Sequence, residues 1–193
     1  MGSCAPPCTD IVDPAFPPDA DTEAADAFSA RVAPLFEGAP GFLARLAAAR
    51  PFGSWAVLFD AARSIAHGMP EPEQIELVDA HPRLGAPPAS VSKLSFGEQG
   101  YDRDVAATRA ADAAREHDRL ATELERLNHA YEARFGFRYC VFVAGRSRSE
   151  LLPGMNEALA RERDSELHRA LDAVVDIAMD RQRHFAESET PRD

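Results

Sequence analysis

The segment from Phe137 to Ala144, with the sequence FRYCVFVA, consists mainly of aromatic and β-branched residues and interrupts the helical pattern on either side. Such a composition favours an extended backbone. No other segment of the chain offers this stretch an obvious partner strand. We therefore predict an all-α fold in which residues 137–144 form a buried extended strip between helices.

The rest of the chain shows apolar residues at helical spacing, which predicts a bundle of about seven to nine helices. Asp21 and Thr22 are expected to cap the first helix, and Ser54 the third. Pro82 ends the fourth helix at His81, because the residue before a proline disfavours helical geometry. Later helices are predicted over about 102–134 with a break near Glu116, over 148–162 and over 165–187, the last with an inward face of Leu167, Leu171, Val174, Val175 and Ala178.

Composition excludes several classes of protein. The net charge of −11 and the lack of a basic stripe argue against nucleic-acid or anionic-membrane partners. The sequence has no apolar stretch long enough to span a membrane and no features of a signal peptide, and its three cysteines do not form a disulfide framework. We expect a cytoplasmic protein with a Pro-rich leader at 1–20, a single helical domain at 21–188 and a tail at 189–193.

The standard metal, nucleotide and nucleophile motifs are missing from the sequence. The informative stretch for a candidate site is residues 79–101. His81 carries the side chain whose ordinary pKa is nearest neutrality, so it can donate or accept a proton at little cost. Ser95 and Glu98 have the spacing of a capping box, which predicts a helix start whose free N–H groups suit an anionic ligand. His-Pro is more often a loop feature, and Ser-x-x-Glu more often only a cap, so spacing leaves both interpretations open.

Three motifs in register support the functional interpretation. They are His81-Pro82-Arg83-Leu84-Gly85, Ser95-x-x-Glu98-Gln99 and Leu127-Asn128-x-x-Tyr131-x-x-Arg134-Phe135-Gly136-Phe137. In order and spacing they resemble the 2-oxo-4-hydroxy-4-carboxy-5-ureidoimidazoline (OHCU) decarboxylase family. The likeness runs from about Phe28 to Arg183, which is nearly the whole body of the chain.

The resemblance implies an all-α homodimer that uses no metal or organic cofactor and converts a small ureide to (S)-allantoin in urate breakdown. It makes His81 the catalytic residue, and it gives Glu98, Gln99 and Ser95 contacts to the substrate. We count Glu98 with His81 as the catalytic pair. Further substrate contacts are implied at Pro82 and in the strip, at Cys140, Val141, Phe142, Val143 and Ala144.

The chemistry of this reaction can be rationalised without a cofactor. Loss of carbon dioxide leaves electron density on a ring carbon, and the neighbouring C=N and carbonyl groups of the substrate accept it. The protein then has to orient the ring and deliver a proton to one face, a role that we assign to His81 as general acid. Glu98 and Gln99 can accept hydrogen bonds from ureido and ring N–H groups, and Glu98 is expected to raise the pKa of His81.

One departure from the family pattern concerns an arginine on the penultimate helix. Alignment on Leu159 and Glu166 puts Ala158 where relatives carry an arginine that contributes to the site. Arg161, one turn further, could reach the same space or could be a solvated surface charge. Two alternatives therefore stay open: the same fold acting on a different ureide, and a non-catalytic helical module that binds a ureide or a partner enzyme.

Overall fold

The computed structural model describes residues 15–87, 89, 91–99 and 111–189. Within these residues the chain forms eight α-helices and one short 3₁₀ helix, and none of them belongs to a β-strand. The all-α prediction is therefore confirmed. In chain order the elements are α1 (Ala25–Val32), the 3₁₀ helix (Ala33–Phe36), α2 (Pro40–Ala48), α3 (Trp55–Gly68), α4 (Glu71–Asp79), α5 (Lys93–Glu98), α6 (Ala111–Phe135), α7 (Arg148–Ala158) and α8 (Arg163–Glu189).

The last helix, α8, is the central element of the bundle. It packs against α3, α4 and the 3₁₀ helix, while α1 packs against α2. Its predicted inward face is confirmed, since Leu167, Leu171, Val174, Val175 and Ala178 are all buried. The same helical spacing continues to Arg181, which is also buried and lies where the core meets the candidate site.

The strip at residues 137–144 is neither helix nor strand, and Phe137, Tyr139, Cys140 and Val143 in it are buried, as predicted. Side chains take the place of a partner strand. Arg169 donates to the Cys140 carbonyl at 3.0 Å. Arg146 donates to the Val143 carbonyl at 3.0 Å and to the Phe142 carbonyl at 2.5 Å. Guanidinium groups thus satisfy carbonyls that a sheet would otherwise pair.

The predicted helix caps have mixed outcomes. Ser54 does cap α3, because its Oγ accepts a hydrogen bond from the Val57 N–H at 3.2 Å. The prediction for the first helix is wrong, since α1 begins after Ala24 without a side-chain cap. Asp21 instead accepts from the N–H groups of Phe52 and Gly53, at 2.8 and 2.7 Å. The Asp21 carboxylate therefore binds residues distant in sequence and does not cap α1.

The predicted segment boundaries changed in several places. The break near Glu116 is wrong, because α6 runs through that residue; predicted helical residues 102–110 lie outside the described part of the chain. Residues 1–14 of the predicted leader and 190–193 of the predicted tail lie outside it as well. The structure does describe residues 15–20 of the predicted leader. There the ring centres of Phe16 and Trp55 lie 5.2 Å apart, and Ala20 is buried. None of the described helices is both long and apolar enough to cross a bilayer.

Candidate active site

His81 lies immediately after α4, where its N–H donates to the Val78 carbonyl at 3.1 Å and Pro82 prevents the helix from continuing. The residue is only 4% exposed. Its Nδ1 lies 3.3 Å from the Leu77 carbonyl oxygen, a contact that favours the tautomer with the proton on Nδ1. The buried Nε2 has no hydrogen-bond partner among the described residues, so it is available as a proton acceptor.

Burial lowers the pKa of His81 to about 4, and the positive charge of Arg181 contributes in the same direction. The negative charge of Glu37 and the hydrogen bond to Leu77 oppose this shift, but the first two causes outweigh them. The imidazole is therefore neutral at pH 7. The expectation that Glu98 raises the pKa of His81 is wrong, because desolvation dominates and the Glu98 carboxylate is committed to Arg181.

Arg181 is the centre of a buried ionic cluster beside His81. Its Nε and Nη2 bind the two carboxylate oxygens of Glu98 at 2.6 and 2.9 Å, and Nη2 also binds Glu37 at 2.7 Å. Nη1 donates to the carbonyls of Pro34 and Leu35, so every guanidinium nitrogen has a partner. The Arg181 side chain is 2% exposed, against 13% for Glu37 and 27% for Glu98. The cluster carries one net negative charge.

Ser95 belongs to the same cluster, but not as a helix cap. The capping-box prediction is wrong: Ser92 caps α5 by accepting from the Ser95 N–H at 3.2 Å. Ser95 therefore lies inside the first turn, where its Oγ donates to Glu37 at 2.7 Å and accepts from Arg181 at 3.1 Å. The Ser95 N–H is therefore bonded within the helix cap and is not available to an anion.

Gln99 holds the loop that follows His81. Its side-chain oxygen accepts from the Gly85 N–H at 2.8 Å, and its side-chain nitrogen donates to the Arg83 carbonyl at 3.2 Å. Asn128 donates to the Leu84 carbonyl at 2.9 Å from the other side. Gly85 has φ +78°, and a Cβ there would lie 2.8 Å from a methyl carbon of Leu124, so only glycine fits this turn.

These groups surround a cavity of about 80 Å³. Ten of the eleven site residues predicted from the sequence line it, namely His81, Pro82, Ser95, Glu98, Gln99, Cys140, Val141, Phe142, Val143 and Ala144. The other lining residues are Leu84, Tyr139, Gly145, Ile177, Asp180 and Arg181. Burial raises the pKa of the Cys140 thiol to about 12, so this wall of the cavity is uncharged. The structure thus brings together residues that are as far as 100 positions apart in the sequence.

Arg161 is the predicted site residue that does not line the cavity. It lies after the end of α7, and its Nη1 binds the buried carboxylate of Glu166 at 3.1 Å. Ala158 is fully buried and does not line the cavity either. The guanidinium at the cavity comes from Arg181 on α8.

Arg181 and Glu37 are two charged residues of the site that the sequence analysis missed, and Asp180 and Tyr139 also line the cavity without having been predicted. The signal for Arg181 was the inward stripe of α8, because the spacing from Val174 to Ala178 continues to position 181 and predicts burial there. A buried arginine requires acidic partners. Nothing in the spacing indicates Glu37, which follows the 3₁₀ helix with a left-handed φ of 52° and meets Arg181 only through the tertiary fold.

The arrangement offers three chemical groups to a small ligand: a neutral imidazole with an acceptor nitrogen, a carboxylate at Glu98, and main-chain groups of the strip. The N–H groups of residues 141–144 form no hydrogen bond with the described part of the chain. No group of three or more His, Cys, Asp or Glu side chains among the described residues is placed to hold a metal ion.

A family model described as OHCU decarboxylase matches residues 21–183. The chain is 26% identical to a "Uric acid degradation bifunctional protein" of Bacillus sp. (strain TB-90), over 80% of this chain and 29% of the relative. It is 28% identical to a second such protein, PucL of Bacillus subtilis (strain 168), over 75% of this chain and 27% of the relative. The chain therefore spans less than a third of these two relatives.

A relative of similar length to this chain is the "2-oxo-4-hydroxy-4-carboxy-5-ureidoimidazoline decarboxylase" of Haloferax volcanii, 27% identical over 79% of this chain and 85% of the relative. Among solved structures, an OHCU decarboxylase in the presence of (S)-allantoin matches with a TM-score of 0.60 and 22% identity, over 81% of this chain and 97% of the other. An (S)-allantoin synthase matches with a TM-score of 0.55 and 17% identity, over 85% and 51% of the two chains. These structural matches establish a shared fold.

Proposed function

The chain belongs to the OHCU decarboxylase family, and we propose that it converts 2-oxo-4-hydroxy-4-carboxy-5-ureidoimidazoline to (S)-allantoin without a cofactor. The observation that carries this proposal is the pairing of a buried, neutral His81 with Glu98 and the strip around a single small cavity. A neutral imidazole with an unoccupied Nε2 is suited to moving one proton within a bound substrate.

The electron flow starts at the bond between the ring carbon C4 and the carboxylate. When this bond breaks, carbon dioxide leaves and the electron pair forms a C4=C5 double bond. The C=N bond at C5 passes its own pair to the ring nitrogen, which takes one proton from solvent. The substrate therefore acts as its own electron sink, and the protein has to orient it and control the proton.

We assign the remaining proton transfer to His81. The substrate's 4-hydroxyl gives its proton to Nε2, C4 becomes a carbonyl, and the same nitrogen then donates the proton to C5. His81 acts first as base and then as the donor, which accords with a resting imidazole that is neutral because burial lowers its pKa to about 4. Delivery from one fixed side creates a single configuration at C5, and such positioned proton transfer contributes typically about 10²–10⁴-fold in rate.

We assign the other lining groups to binding. The Glu98 carboxylate can accept ureido or ring N–H groups with the lone pairs that Arg181 leaves free. The backbone N–H groups of Val141 to Ala144 are suited to the substrate's oxygens. Ser95 and Gln99 line the cavity, but their polar atoms bond to Glu37 and to the loop after His81, so we propose that they mainly hold the site in shape.

The proposed function is tested by supplying freshly made urate-oxidation intermediate to the purified protein and following the circular dichroism of the product. We expect a signal of one sign that grows with enzyme concentration. The intermediate also decays spontaneously to racemic allantoin, which has no signal, so handedness separates catalysis from spontaneous decay. Loss of the intermediate at the spontaneous rate, with an optically silent product, would overturn the proposal.

The buried imidazole also predicts how stability depends on pH. His81 has a pKa of about 4 in the folded protein and its ordinary value of 6.5 when unfolded, so only the unfolded state takes up this proton between those values. The effect of His81 on the free energy of unfolding is therefore constant above pH 6.5. As the pH falls from 6.5 towards 4, the free energy of unfolding decreases by up to about 1.4 kcal/mol per pH unit. Urea unfolding of the wild type and His81→Gln over this range measures it. The variant should show the shallower dependence, and equal slopes would contradict a neutral, buried His81.

We further propose that residues 21–188 form the catalytic domain and that the protein is a cytoplasmic homodimer. The family match over residues 21–183 supports the domain limits. Light scattering on the full chain distinguishes a dimer from a monomer.

A further inference from the structure

Behind the strip lies a second buried ionic cluster, centred on Glu166, which is 0% exposed. The Tyr131 hydroxyl donates to Glu166 Oε1 at 2.8 Å, and the Nε of Arg169 donates to the same oxygen at 2.8 Å. Arg161 binds the other oxygen at 3.1 Å. Neither Glu166 nor any of these three partners lines the cavity.

Arg169 connects this cluster to the cavity wall. Its Nη1 donates to the Cys140 carbonyl at 3.0 Å, and its guanidinium carbon lies 5.0 Å from the centre of the Tyr139 ring. Tyr139 and Cys140 both line the cavity, directly before the residues whose N–H groups are free among the described residues. The guanidinium therefore holds two consecutive residues of the wall and does not itself line the cavity.

A buried carboxylate is costly, and an ion pair that contains one is often no more stabilising than apolar side chains of similar volume. The Glu166 cluster is thus not explained by stability alone. The cluster restrains the guanidinium of Arg169, which contacts Glu166, the Cys140 carbonyl and the Tyr139 ring. A planar group with three contacts has little freedom to move. The part of the molecule that this rigidity fixes is the carbonyl of Cys140 and the ring of Tyr139.

We propose that Arg169, locked by the buried carboxylate of Glu166, is a positioning residue that sets the orientation of the strip's backbone N–H groups toward the bound ureide. This inference rests on the proposed function of the same cavity. An extended strip without a partner strand has no ladder to fix the rotation of its peptide groups. The bond from Arg169 to the Cys140 carbonyl fixes the peptide group that carries the Val141 N–H, while Arg146 holds the two that carry the Val143 and Ala144 N–H groups. A displacement of about 1 Å in such a group can cost up to about 10²-fold in rate.

Arg163 provides a matched control on the same helix. Its side chain donates to the main-chain carbonyl of Phe135 at 2.9 Å and pairs with the carboxylate of Glu71 at 2.7 Å. Its guanidinium carbon lies 5.8 Å from the centre of the Phe137 ring. None of these groups lines the cavity. Arg163→Met therefore removes the same kinds of interaction as Arg169→Met without touching the wall.

We expect Arg169→Met to raise KM and to lower kcat/KM for the ureide by about 10- to 100-fold. Arg163→Met should keep both values near those of the wild type and should lose less Tm, because its partner Glu71 is exposed whereas Glu166 is buried. Arg169→Lys should recover only part of the activity, because an ammonium cannot span Glu166 and the Cys140 carbonyl as a fork does. A loss of folded protein would lower kcat and leave KM unchanged, so the rise in KM separates positioning from stability.

Equal losses in the two Met variants, or an unchanged KM in Arg169→Met, would overturn the proposal. If the wild type itself does not decarboxylate the ureide, the proposed function fails, and amide chemical shifts of the full-length protein decide the inference separately. Arg169→Met should then shift the amide signals of Val141, Phe142 and Val143, whereas Arg163→Met should leave them in place. Unshifted signals in Arg169→Met would contradict a role in positioning the strip.

Discussion

Replacing His81 with glutamine should lower the rate of enzyme-dependent (S)-allantoin formation by about 10²–10⁴-fold, the usual contribution of a positioned proton carrier. Glutamine retains a polar side chain of similar size, but its amide neither accepts a proton at neutral pH nor returns one. The residue follows α4, and its Nε2 has no hydrogen-bond partner among the described residues. The product that still forms should approach a racemate, because only solvent then protonates C5.

The measurement is the initial slope of the circular dichroism signal, taken at equal concentrations of folded protein. His129→Gln is the control, since His129 is exposed on α6 and far from the lining residues in sequence. It should match the wild type. A His81→Gln variant that forms (S)-allantoin at the wild-type rate would remove the proposed mechanism, and a second base in the cavity would have to be sought.

Replacing Arg181 with methionine should cost both stability and activity. The change keeps an unbranched apolar stem but leaves Glu37 and Glu98 without the cation that neutralises one of their charges. Leaving a buried charge unpaired costs about 3–5 kcal/mol, and the lower end applies because Glu98 is 27% exposed. Arg181 would no longer hold the pKa of Glu37 below its ordinary value. His81 would also lose one of the causes that keep its imidazole neutral. We therefore expect a large fall in kcat/KM even in the folded fraction.

Chemical denaturation and steady-state kinetics on the same samples separate the two effects. Arg126→Met is the control, because Arg126 forms an exposed pair with Glu123 on α6, a type of pair worth less than about 1 kcal/mol. The double variant Arg181→Met/Glu37→Gln should regain stability, since it removes one of the unpaired charges, but it should not regain activity. An Arg181→Met protein as stable as Arg126→Met would show that the cluster does not depend on its guanidinium.

Local patterns in the sequence were sufficient for the elements that depend on neighbouring residues. The end of α4 just before His81 follows from Pro82, the start of α3 follows from Ser54, and the inward face of α8 follows from its apolar spacing. Three motifs in register indicated the family. Residues of the first two motifs meet at one cavity, together with the part of the strip that follows the third motif.

Other features were mispredicted because a tertiary partner competed with the local pattern. Ser95 has the spacing of a cap, but Ser92 takes that role and leaves the Ser95 hydroxyl to Glu37, 58 residues away in sequence. Arg161 was a candidate for the cavity, but the buried carboxylate of Glu166 is nearer and binds it. Spacing along a chain cannot reveal which of two acceptors a donor will meet.

The amino-acid sequence by itself determined the helical fold and the position of His81 after a helix, because these follow from periodicity and proline geometry. The family resemblance indicated ten of the residues that line the cavity. Only the tertiary structure decided the charge state of the site. Burial beside Arg181 keeps His81 neutral, and that outcome depends on desolvation and on distances between α4, α5, α8 and the residue after the 3₁₀ helix. Both quantities arise when the chain packs, so no local pattern encodes them.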